Sequence, residues 1–156
     1  MNDDRRRVLK GTGGMAVMGL AVSAGLLKPG SAWAQTWNKA AFETKNMADT
    51  VKAMGGAAAA ESKEIAISSP DIAENGAVVP FTITSRIPKT ESIALLVEKN
   101  PNALAASFDI PAGTEAGVTT RVKMGQTSNI TALVKADGKF YYTTKEVKVT
   151  IGGCGG

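Results

Sequence analysis

Hydrophobic side chains at every second position are the feature that most limits how this chain can fold. From residue 61 onward they alternate with polar or small side chains in seven short segments, separated by Gly, Pro, Asn and Asp. A period of two is typical of β-strands. Strands that begin roughly every 10 to 14 residues predict an all-β fold, a seven-stranded antiparallel β-sandwich of immunoglobulin-like size. Their markers are Ile65 and Ile67; Val79, Phe81 and Ile83; Ile93, Leu95 and Val97; Ala105 to Phe108; Val118, Thr120, Val122 and Met124; Ile130, Ala132 and Val134; and Phe140 to Ile151.

The last two predicted strands are joined by Asp137-Gly138, a pair typical of a two-residue hairpin turn. The final strand changes parity between its two halves. We therefore predict a bulge near Thr143 to Lys145, because one extra residue would bring the apolar side chains of both halves to one face. The side chains concerned are Phe140, Tyr142, Val147, Val149 and Ile151.

Ahead of the strands, the apolar residues recur at helical spacing. Residues 37–54 contain neither Pro nor Gly, and Gly55-Gly56 follows them. This pattern predicts one amphipathic helix from Trp37 to Met54, and Ala57 to Ala60 then form a short tether to the strands. The helix and tether together occupy residues 35–60, and the predicted sandwich occupies residues 61–151.

Residues 1–34 have the order of features found in an export signal. Asp4-Arg5-Arg6-Arg7-Val8-Leu9-Lys10 resembles the twin-arginine signal, with Arg5 and Arg6 as the arginine pair. The uncharged run 11–27 contains five glycines and is too short and too weakly apolar for a membrane span. Ala32 and Ala34 supply the small residues that signal peptidase reads. We expect cleavage after Ala34 and localisation in the periplasm; a disordered basic N-terminus or an uncleaved anchor is the alternative.

Histidine is absent and Cys154 is the single cysteine, which excludes many kinds of chemistry. The chain cannot form a Ser-His or Cys-His pair, a His-ligated metal site, an intrachain disulfide or a cysteine-ligated cluster. We predict no metal and no cofactor. The net charge of +4 comes mainly from residues 1–34, which hold five basic and two acidic residues, so 13 basic and 12 acidic residues remain. That balance does not favour nucleic-acid binding.

The single thiol lies in the sequence Gly152-Gly153-Cys154-Gly155-Gly156, after the last predicted strand. Glycine has no Cβ that could shield a neighbour, so we expect Cys154 to be exposed on a flexible arm formed by residues 152–156. The arm contains no Lys or Arg that would favour the thiolate. We therefore predict that partner enzymes modify this thiol and that it is not a catalyst. The alternative is a frayed terminus with an incidental cysteine.

Several segments resemble the SoxY family, the sulfur-carrying subunit of the SoxYZ protein in periplasmic thiosulfate oxidation. The resemblance covers essentially the whole chain after residue 34. It is carried by the twin-arginine leader, the Trp37 to Met54 segment and the terminal Gly-Gly-Cys-Gly-Gly, together with Ile72-Ala73-Glu74-Asn75-Gly76, Glu98-Lys99-Asn100-Pro101 and Lys123-Met124-Gly125-Gln126-Thr127-Ser128.

This resemblance implies a carrier and not an enzyme. A haem c enzyme (SoxXA) would join the Cys154 thiol to thiosulfate, and a dimanganese hydrolase (SoxB) would release sulfate from the resulting Cys-S-thiosulfonate. A sulfane dehydrogenase (SoxCD), where present, would oxidise the remaining persulfide sulfur. A SoxZ subunit would form a heterodimer with the chain. Gly152, Gly153, Gly155 and Gly156 would give the arm its flexibility and steric access.

Two other functions are consistent with parts of the sequence. Ubiquitin-like sulfur carriers also end in Gly-Gly and hold sulfur as a thiocarboxylate, which would place the chemistry on Gly156. Those carriers have small β-grasp folds and no export signal, so the predicted leader and the seven predicted strands of this chain argue against this assignment. The other function is that of an exported, non-catalytic binding module in which Cys154 forms an intermolecular disulfide.

Overall fold

The computed structural model describes residues 38–150, which form two helices and nine strands. We number them in chain order. The helices are α1 (Lys39–Phe42) and α2 (Met47–Ala53). The strands are β1 (Ala59–Glu61), β2 (Ile65–Ser68), β3 (Ile72–Ala73), β4 (Val79–Ser85), β5 (Thr90–Val97), β6 (Leu104–Asp109), β7 (Gly117–Val122), β8 (Ser128–Ala136) and β9 (Lys139–Val149).

The strands form two sheets, which confirms the predicted β-sandwich. The larger sheet has the order β1-β9-β8-β5-β6, with β3 also paired to β9, and the smaller sheet has the order β2-β4-β7. The described residues form nine strands, so the predicted number of seven is wrong. The two additional strands, β1 and β3, run parallel to β9. Ala59 and Ala60 of the predicted tether belong to β1, so part of that tether is paired backbone.

The main core lies between the two sheets and contains the alternating residues that the sequence marks. Val79, Phe81 and Ile83 of β4 are completely buried, as are Ile93 and Leu95 of β5. Their neighbours Thr82 and Thr84 point away from this core, Thr82 half-buried and Thr84 exposed. Burial of these apolar faces supplies the main driving force that holds the sheets together.

A second apolar layer covers the other face of the larger sheet, where the two helices pack. It contains Ala41 of α1 and Val51 of α2 against Leu96, Leu133 and Phe140 of the sheet. Strand β5 is therefore buried on both faces from Ser92 to Val97.

The same arrangement explains the change of parity in β9, and the predicted bulge near Thr143 to Lys145 is wrong. Strands β8 and β9 pair without a register shift from Ser128↔Val147 to Ala136↔Lys139. The first half of β9 turns Phe140 toward the helices, whereas the second half turns Val147 into the core between the sheets. Because both faces of the sheet are covered, apolar residues of either parity can be buried without an extra residue.

The predicted single helix from Trp37 to Met54 is wrong, because the chain bends between Phe42 and Met47. Asn46 ends the bend, and its side-chain oxygen accepts a hydrogen bond from the Asp49 amide at 2.9 Å. This is an N-cap, which starts α2 as a new helix. Asn38 caps α1 in the same way and also donates a hydrogen bond to the Ala53 carbonyl at 2.9 Å. Trp37 lies outside the described residues.

The predicted hairpin at Asp137-Gly138 is confirmed. Both residues have positive φ angles, 48° and 73°, as a tight two-residue turn between antiparallel strands requires. Within residues 38–150, no helix is long and apolar enough to cross a membrane.

Candidate functional site

The residues that the sequence assigns to function lie outside the described part of the chain. Thr150 is the last described residue and Asn38 is the first. The structure does describe the end of β9, from which the predicted carrier arm departs. We call Lys148, Val149 and Thr150 the arm root. The assigned residues beyond the described range are Cys154, Gly152, Gly153, Gly155 and Gly156 after it, and Arg5, Arg6, Ala32 and Ala34 before it.

One edge of the arm root is held by β3 and by Asp71, the residue before it. The Lys148 amide donates a hydrogen bond to the Asp71 carbonyl at 2.9 Å, and the Thr150 amide donates to the Ala73 carbonyl at 3.1 Å. The two strands are parallel. Although β3 has only two residues, it extends the pairing of β9 as far as Thr150.

The other edge of the arm root is held by a side chain. The ladder between β8 and β9 ends at the pair Ser128↔Val147, and the chain before Ser128 bends away. Thr127 Oγ1 accepts a hydrogen bond from the Val149 amide at 3.0 Å. A hydroxyl oxygen thus takes the place of the backbone carbonyl that a longer ladder would provide.

Gly76 packs closely against the arm root from the main core. Its carbonyl accepts a hydrogen bond from the Met124 amide at 2.7 Å. A Cβ at Gly76 would overlap the Met124 carbonyl oxygen and lie 2.8 Å from Val149 Cγ1. Since real Cβ contacts are not this short, only glycine fits here without a shift of the backbone. The packing therefore fixes the loop before β4 and the last strand together.

The structure brings together the three internal segments that carry the family resemblance. Gly76 of the first segment and Met124 of the third are joined by the hydrogen bond just described. Residues 98–101 join the third segment through Asn100 Nδ2, which donates to the Lys123 carbonyl at 2.9 Å, and through the Lys99 amide, which donates to Ser128 Oγ at 3.0 Å. Segments that lie far apart in the sequence thus form one support around the end of β9.

An ion pair lies beside the arm root. Lys145 Nζ is 2.9 Å from an Asp71 carboxylate oxygen and also donates to the Ser69 carbonyl at 2.9 Å. The Asp71 side chain is 88% exposed, so the ion pair is largely solvated and contributes little to stability. Residues 38–150 contain no group of three or more His, Cys, Asp or Glu residues that could hold a metal ion.

The surface of residues 38–150 includes two cavities whose linings do not include Lys148, Val149 or Thr150. One, of about 230 Å³, lies on the helix side of the larger sheet and is lined by residues that include Asn129 and Tyr142. The other, of about 630 Å³, lies at the opposite end of the sandwich beside Arg86 and Lys89. The contacts described at the arm root are contacts to its backbone.

Thr127 and Gly76 had no predicted role, although both belong to segments that carry the resemblance. A Gly between a two-residue strand and a buried strand is a signal for close backbone approach. The role of Thr127 has no comparable signal, because it depends on where the β8-β9 ladder ends.

Comparisons with known proteins show which family and which fold this chain resembles. The model of the family described as sulfur oxidation protein SoxY matches residues 50–154. The solved structure of the sulfur carrier protein SoxY from Chlorobium limicola f thiosulfatophilum is 38% identical, with a TM-score of 0.58, and the match covers 66% of this chain and 96% of that one. A variant of superoxide reductase (neelaredoxin) from Ignicoccus hospitalis shares only the fold, at 18% identity and a TM-score of 0.50, over 64% of this chain and 87% of that one.

The search of curated proteins returned no match. The family model covers well over half of the chain, and its matched range extends from α2 through the sandwich to Cys154. The fold is the immunoglobulin-like β-sandwich of the Chlorobium protein. This chain therefore belongs to the SoxY family of sulfur oxidation proteins.

Proposed function

We propose that this chain is a periplasmic carrier of sulfur intermediates in thiosulfate oxidation, with the thiol of Cys154 as the attachment atom. The family is one of sulfur oxidation proteins, and its Chlorobium member is a sulfur carrier. The observation that carries the proposal is the extent of the family match, which reaches Cys154, the single thiol of the chain. A carrier needs a nucleophilic atom that can be loaded and unloaded, and this residue provides it.

The arm root supports this assignment through its position. Among residues 38–150, the pairing of β9 continues to the final residue, Thr150, whose amide is hydrogen-bonded, and Cys154 follows four residues later in the sequence. A fully extended chain spans about 3.3 to 3.6 Å per residue, so three residues, the number from Gly152 to Cys154, would give the thiol a maximum reach of roughly 10 Å beyond Ile151. That reach is enough for entry into a narrow active site of another protein, and the glycines on both sides of Cys154 add no Cβ that could clash there.

The proposed cycle begins with oxidative conjugation. The Cys154 thiolate and the terminal sulfur of thiosulfate form an S–S bond and lose two electrons, which a SoxXA-like haem c enzyme accepts. Water then attacks the sulfone sulfur in a SoxB-like dimanganese hydrolase, so that sulfate leaves and a persulfide stays on Cys154. A SoxCD-like sulfane dehydrogenase, where present, would oxidise that persulfide. The chain supplies the attachment atom, and the partner enzymes supply the metals and the acid-base groups.

We propose that a SoxZ-like subunit forms a heterodimer with this chain and that the enzymes approach the end of the sandwich that bears the arm. Ile72 of β3 and Val78, just before β4, support this orientation, because they are 56% and 51% exposed and lie at the same end of the sandwich as the arm root. Large apolar side chains at such exposure are typical of surfaces that another protein covers. Export through the twin-arginine pathway would carry the folded chain to the periplasm, with Arg5 and Arg6 read before cleavage after Ala34.

The test is intact-mass analysis of the purified protein after incubation with thiosulfate and the haem c conjugating enzyme. We expect an adduct on the wild-type protein that reductant removes, because an S–S bond links it to the protein. The matched control is Cys154→Ser, which replaces sulfur by oxygen and changes the shape of the arm very little. We expect no adduct on this variant.

The same measurement separates the other two functions. An adduct that persists on Cys154→Ser would move the chemistry to a Gly156 thiocarboxylate. The absence of an adduct on both proteins would contradict the carrier function and favour an exported binding module, whose Cys154 would appear only as an intermolecular disulfide.

A further inference from the structure

The cavity of about 230 Å³ on the helix side of the larger sheet lies toward the end of the sheet that carries the arm root. Strands β5 and β9 end there and β8 begins there, because β8 pairs antiparallel with both. Glu98, which follows β5, lines the cavity together with Asn129 of β8, Tyr142 of β9 and Met47 at the start of α2. A protein that approached the arm root would therefore also meet this cavity.

The size and the lining of the cavity fit one long side chain better than a free small molecule. Pockets for small-molecule ligands typically enclose about 300 to 1,000 Å³, and this cavity is smaller. Its apolar lining comes from Met47, Leu96 and Ala103, all of which belong to the second apolar layer or pack against it. The half-buried Tyr142 adds an aromatic ring. Such a lining can cover the aliphatic stem of a side chain whose polar end stays at the rim.

The rim of the cavity carries a carboxylate that no cation neutralises. Glu98 is joined to Asn129 twice, because its amide donates to the Asn129 carbonyl at 3.1 Å and its Oε2 accepts from Asn129 Nδ2 at 2.9 Å. Within residues 38–150, Glu98 forms no ion pair, and its second carboxylate oxygen, Oε1, accepts no hydrogen bond. The carboxylate is therefore held in place with one oxygen open to a cationic donor.

Tyr142 provides a second contact for a cation. Its ring lines the same cavity as Glu98, and its hydroxyl makes no hydrogen bond within the described part of the chain. A planar guanidinium can stack on an aromatic ring while its N–H groups donate to a carboxylate, whereas the compact ammonium of lysine is a point charge that does not stack. The apolar lining, the aromatic ring and the carboxylate together match the stem and the head of an arginine side chain.

We propose that this cavity binds an arginine side chain of the enzyme that loads Cys154. The stem of the arginine lies along Met47 and Leu96, and its guanidinium donates to Glu98 and stacks on Tyr142. This inference rests on the proposed carrier function, because it names a contact between the carrier and its loading enzyme. All the groups that hold the arginine belong to residues 38–150.

The surface beside the cavity favours a partner that docks and leaves. Asn129 and Thr144 line the cavity and are exposed, and the exposed Glu146 pairs with Asn129 on the same face. Permanent interfaces are larger and more hydrophobic than such a polar surface. An arginine anchor in a small pocket, surrounded by polar contacts, is typical of the few residues that dominate a binding energy. A loading enzyme must release the carrier after each reaction, so this surface suits it better than a permanent subunit.

The direct test requires no sulfur chemistry. The probe is Nα-acetyl-arginine methylamide, titrated into the chain from residue 35 to residue 156 and followed by NMR. We expect the resonances of Glu98, Asn129 and Tyr142 to shift, with a Kd in the millimolar range, because the probe is a single residue. The matched probe is Nα-acetyl-citrulline methylamide, which has nearly the same shape and no charge. It should bind about tenfold more weakly.

Three substitutions test which groups hold the probe. Glu98→Gln keeps the shape and removes the charge, so it should weaken the arginine probe about tenfold. Tyr142→Leu removes the ring and keeps an apolar side chain, so it should weaken the probe about threefold. Glu115→Gln is the matched control for the loss of a carboxylate, because Glu115 is exposed and does not line this cavity. It should bind the probe like the wild type.

The second readout tests the contact with the enzyme. In conjugation of thiosulfate by the haem c enzyme, Glu98→Gln should raise KM for the carrier about tenfold at nearly unchanged kcat, since a docking contact is lost. The difference from the wild type should shrink at high salt, because salt screens the charge pair. The reaction of Cys154 with a small alkylating reagent should stay unchanged. A variant that was only less stable would lower the urea midpoint without this salt-dependent change in KM.

The proposal is overturned if the citrulline probe binds as tightly as the arginine probe, if Glu98→Gln binds the arginine probe as tightly as Glu115→Gln does, or if Glu98→Gln leaves KM unchanged. Should a variant fail to fold, the comparison of the two probes on the wild type still decides. If the wild type forms no adduct, the carrier function fails while the probe titration still reports on the arginine site, so the two failures are distinguishable.

Discussion

The two ends of strand β9 are held by different kinds of contact. At its beginning, the turn Asp137-Gly138 is surrounded by charged side chains, with Lys89 and Asp137 at 3.1 Å and Lys135 and Glu91 at 3.0 Å. At its end, the ion pair between Lys145 and Asp71 lies beside the arm root, but the arm root itself is held by hydrogen bonds to its backbone and by the close packing of Gly76.

This difference indicates which end must keep a fixed geometry. Exposed ion pairs between flexible side chains contribute about 0 to 1 kcal/mol and tolerate movement of both partners. A hydroxyl-amide bond and a glycine packed against a carbonyl allow much less movement, because both act at short range on the backbone. The hairpin end therefore needs only to reverse the chain, whereas the contacts at the other end hold the backbone of Lys148, Val149 and Thr150 in one geometry.

Gly76→Ala should have the largest effect. The added Cβ would overlap the Met124 carbonyl oxygen and press on Val149, so the backbone must shift. Overpacking of this kind costs typically 1 to 3 kcal/mol, and we expect a loss of about 2 kcal/mol in the free energy of unfolding, measured by urea denaturation. Exchange of the Val149 amide should become faster as well.

Gly125→Ala is the matched control for this prediction. Gly125 lies in the same support, but a Cβ there would meet nothing within 4 Å and its φ angle is not in the positive range. We expect its stability to remain within about 0.5 kcal/mol of the wild type. Equal losses in the two variants would show that close packing at Gly76 does not distinguish this end of β9.

Gly138→Ala should have an intermediate effect, confined to the hairpin end. Gly138 has a φ of 73°, and a Cβ in this left-handed region costs about 1 kcal/mol. Gly138→Asn should recover part of the loss, since Asn tolerates this conformation better. The measurement is the urea midpoint together with the mobility of a nitroxide label attached to the Cys154 thiol. A change of that mobility in Gly138→Ala would contradict the independence of the two ends.

The sequence predicted those parts of the fold that depend on local pattern. Alternation identified the buried faces, as at Phe81 and Leu95, and Asp137-Gly138 marked the hairpin correctly. The start of α2 could also have been predicted, because Asn46 three residues before Asp49 is a capping signal. The apolar residues continue at helical spacing across this point, and that spacing predicted one uninterrupted helix.

Other parts of the fold depend on contacts between distant segments. Strand β1 has the sequence Ala-Ala-Glu, which has little intrinsic preference for a strand, and its pairing beside β9 determines its conformation. The predicted bulge was wrong because the sequence did not show that helices cover the second face of β9. The assignment of Cys154 as the attachment residue, with its flanking glycines, remains a prediction. The hydrogen bond from the Val149 amide to Thr127 could not be predicted, because it depends on where the β8-β9 ladder ends.

Glu91 provides the smallest expected effect and tests the hairpin end by pH. The hydrogen bond from Lys135, with a further one from the Gly138 amide, lowers the pKa of Glu91 below its ordinary value. A carboxylate whose pKa is lowered by folding stabilises the fold above its unfolded pKa, and this contribution disappears as the pH falls through the folded pKa. The wild type should therefore be slightly more stable than Glu91→Gln at neutral pH, and the difference should vanish in acid.

Urea midpoints between about pH 7 and about pH 2.5 would measure this difference, with Glu115→Gln as the control. Glu115 is exposed, and its carboxylate makes no hydrogen bond or ion pair within residues 38–150, so Glu115→Gln removes a carboxylate without removing such a contact. The effect of Glu91→Gln should be smaller than those of Gly76→Ala and Gly138→Ala, because solvent screens an exposed pair. If the stability difference between the wild type and Glu91→Gln grew as the pH fell, the fold would favour the protonated form of Glu91. That result would contradict a stabilising role for the charged contacts at this end of β9.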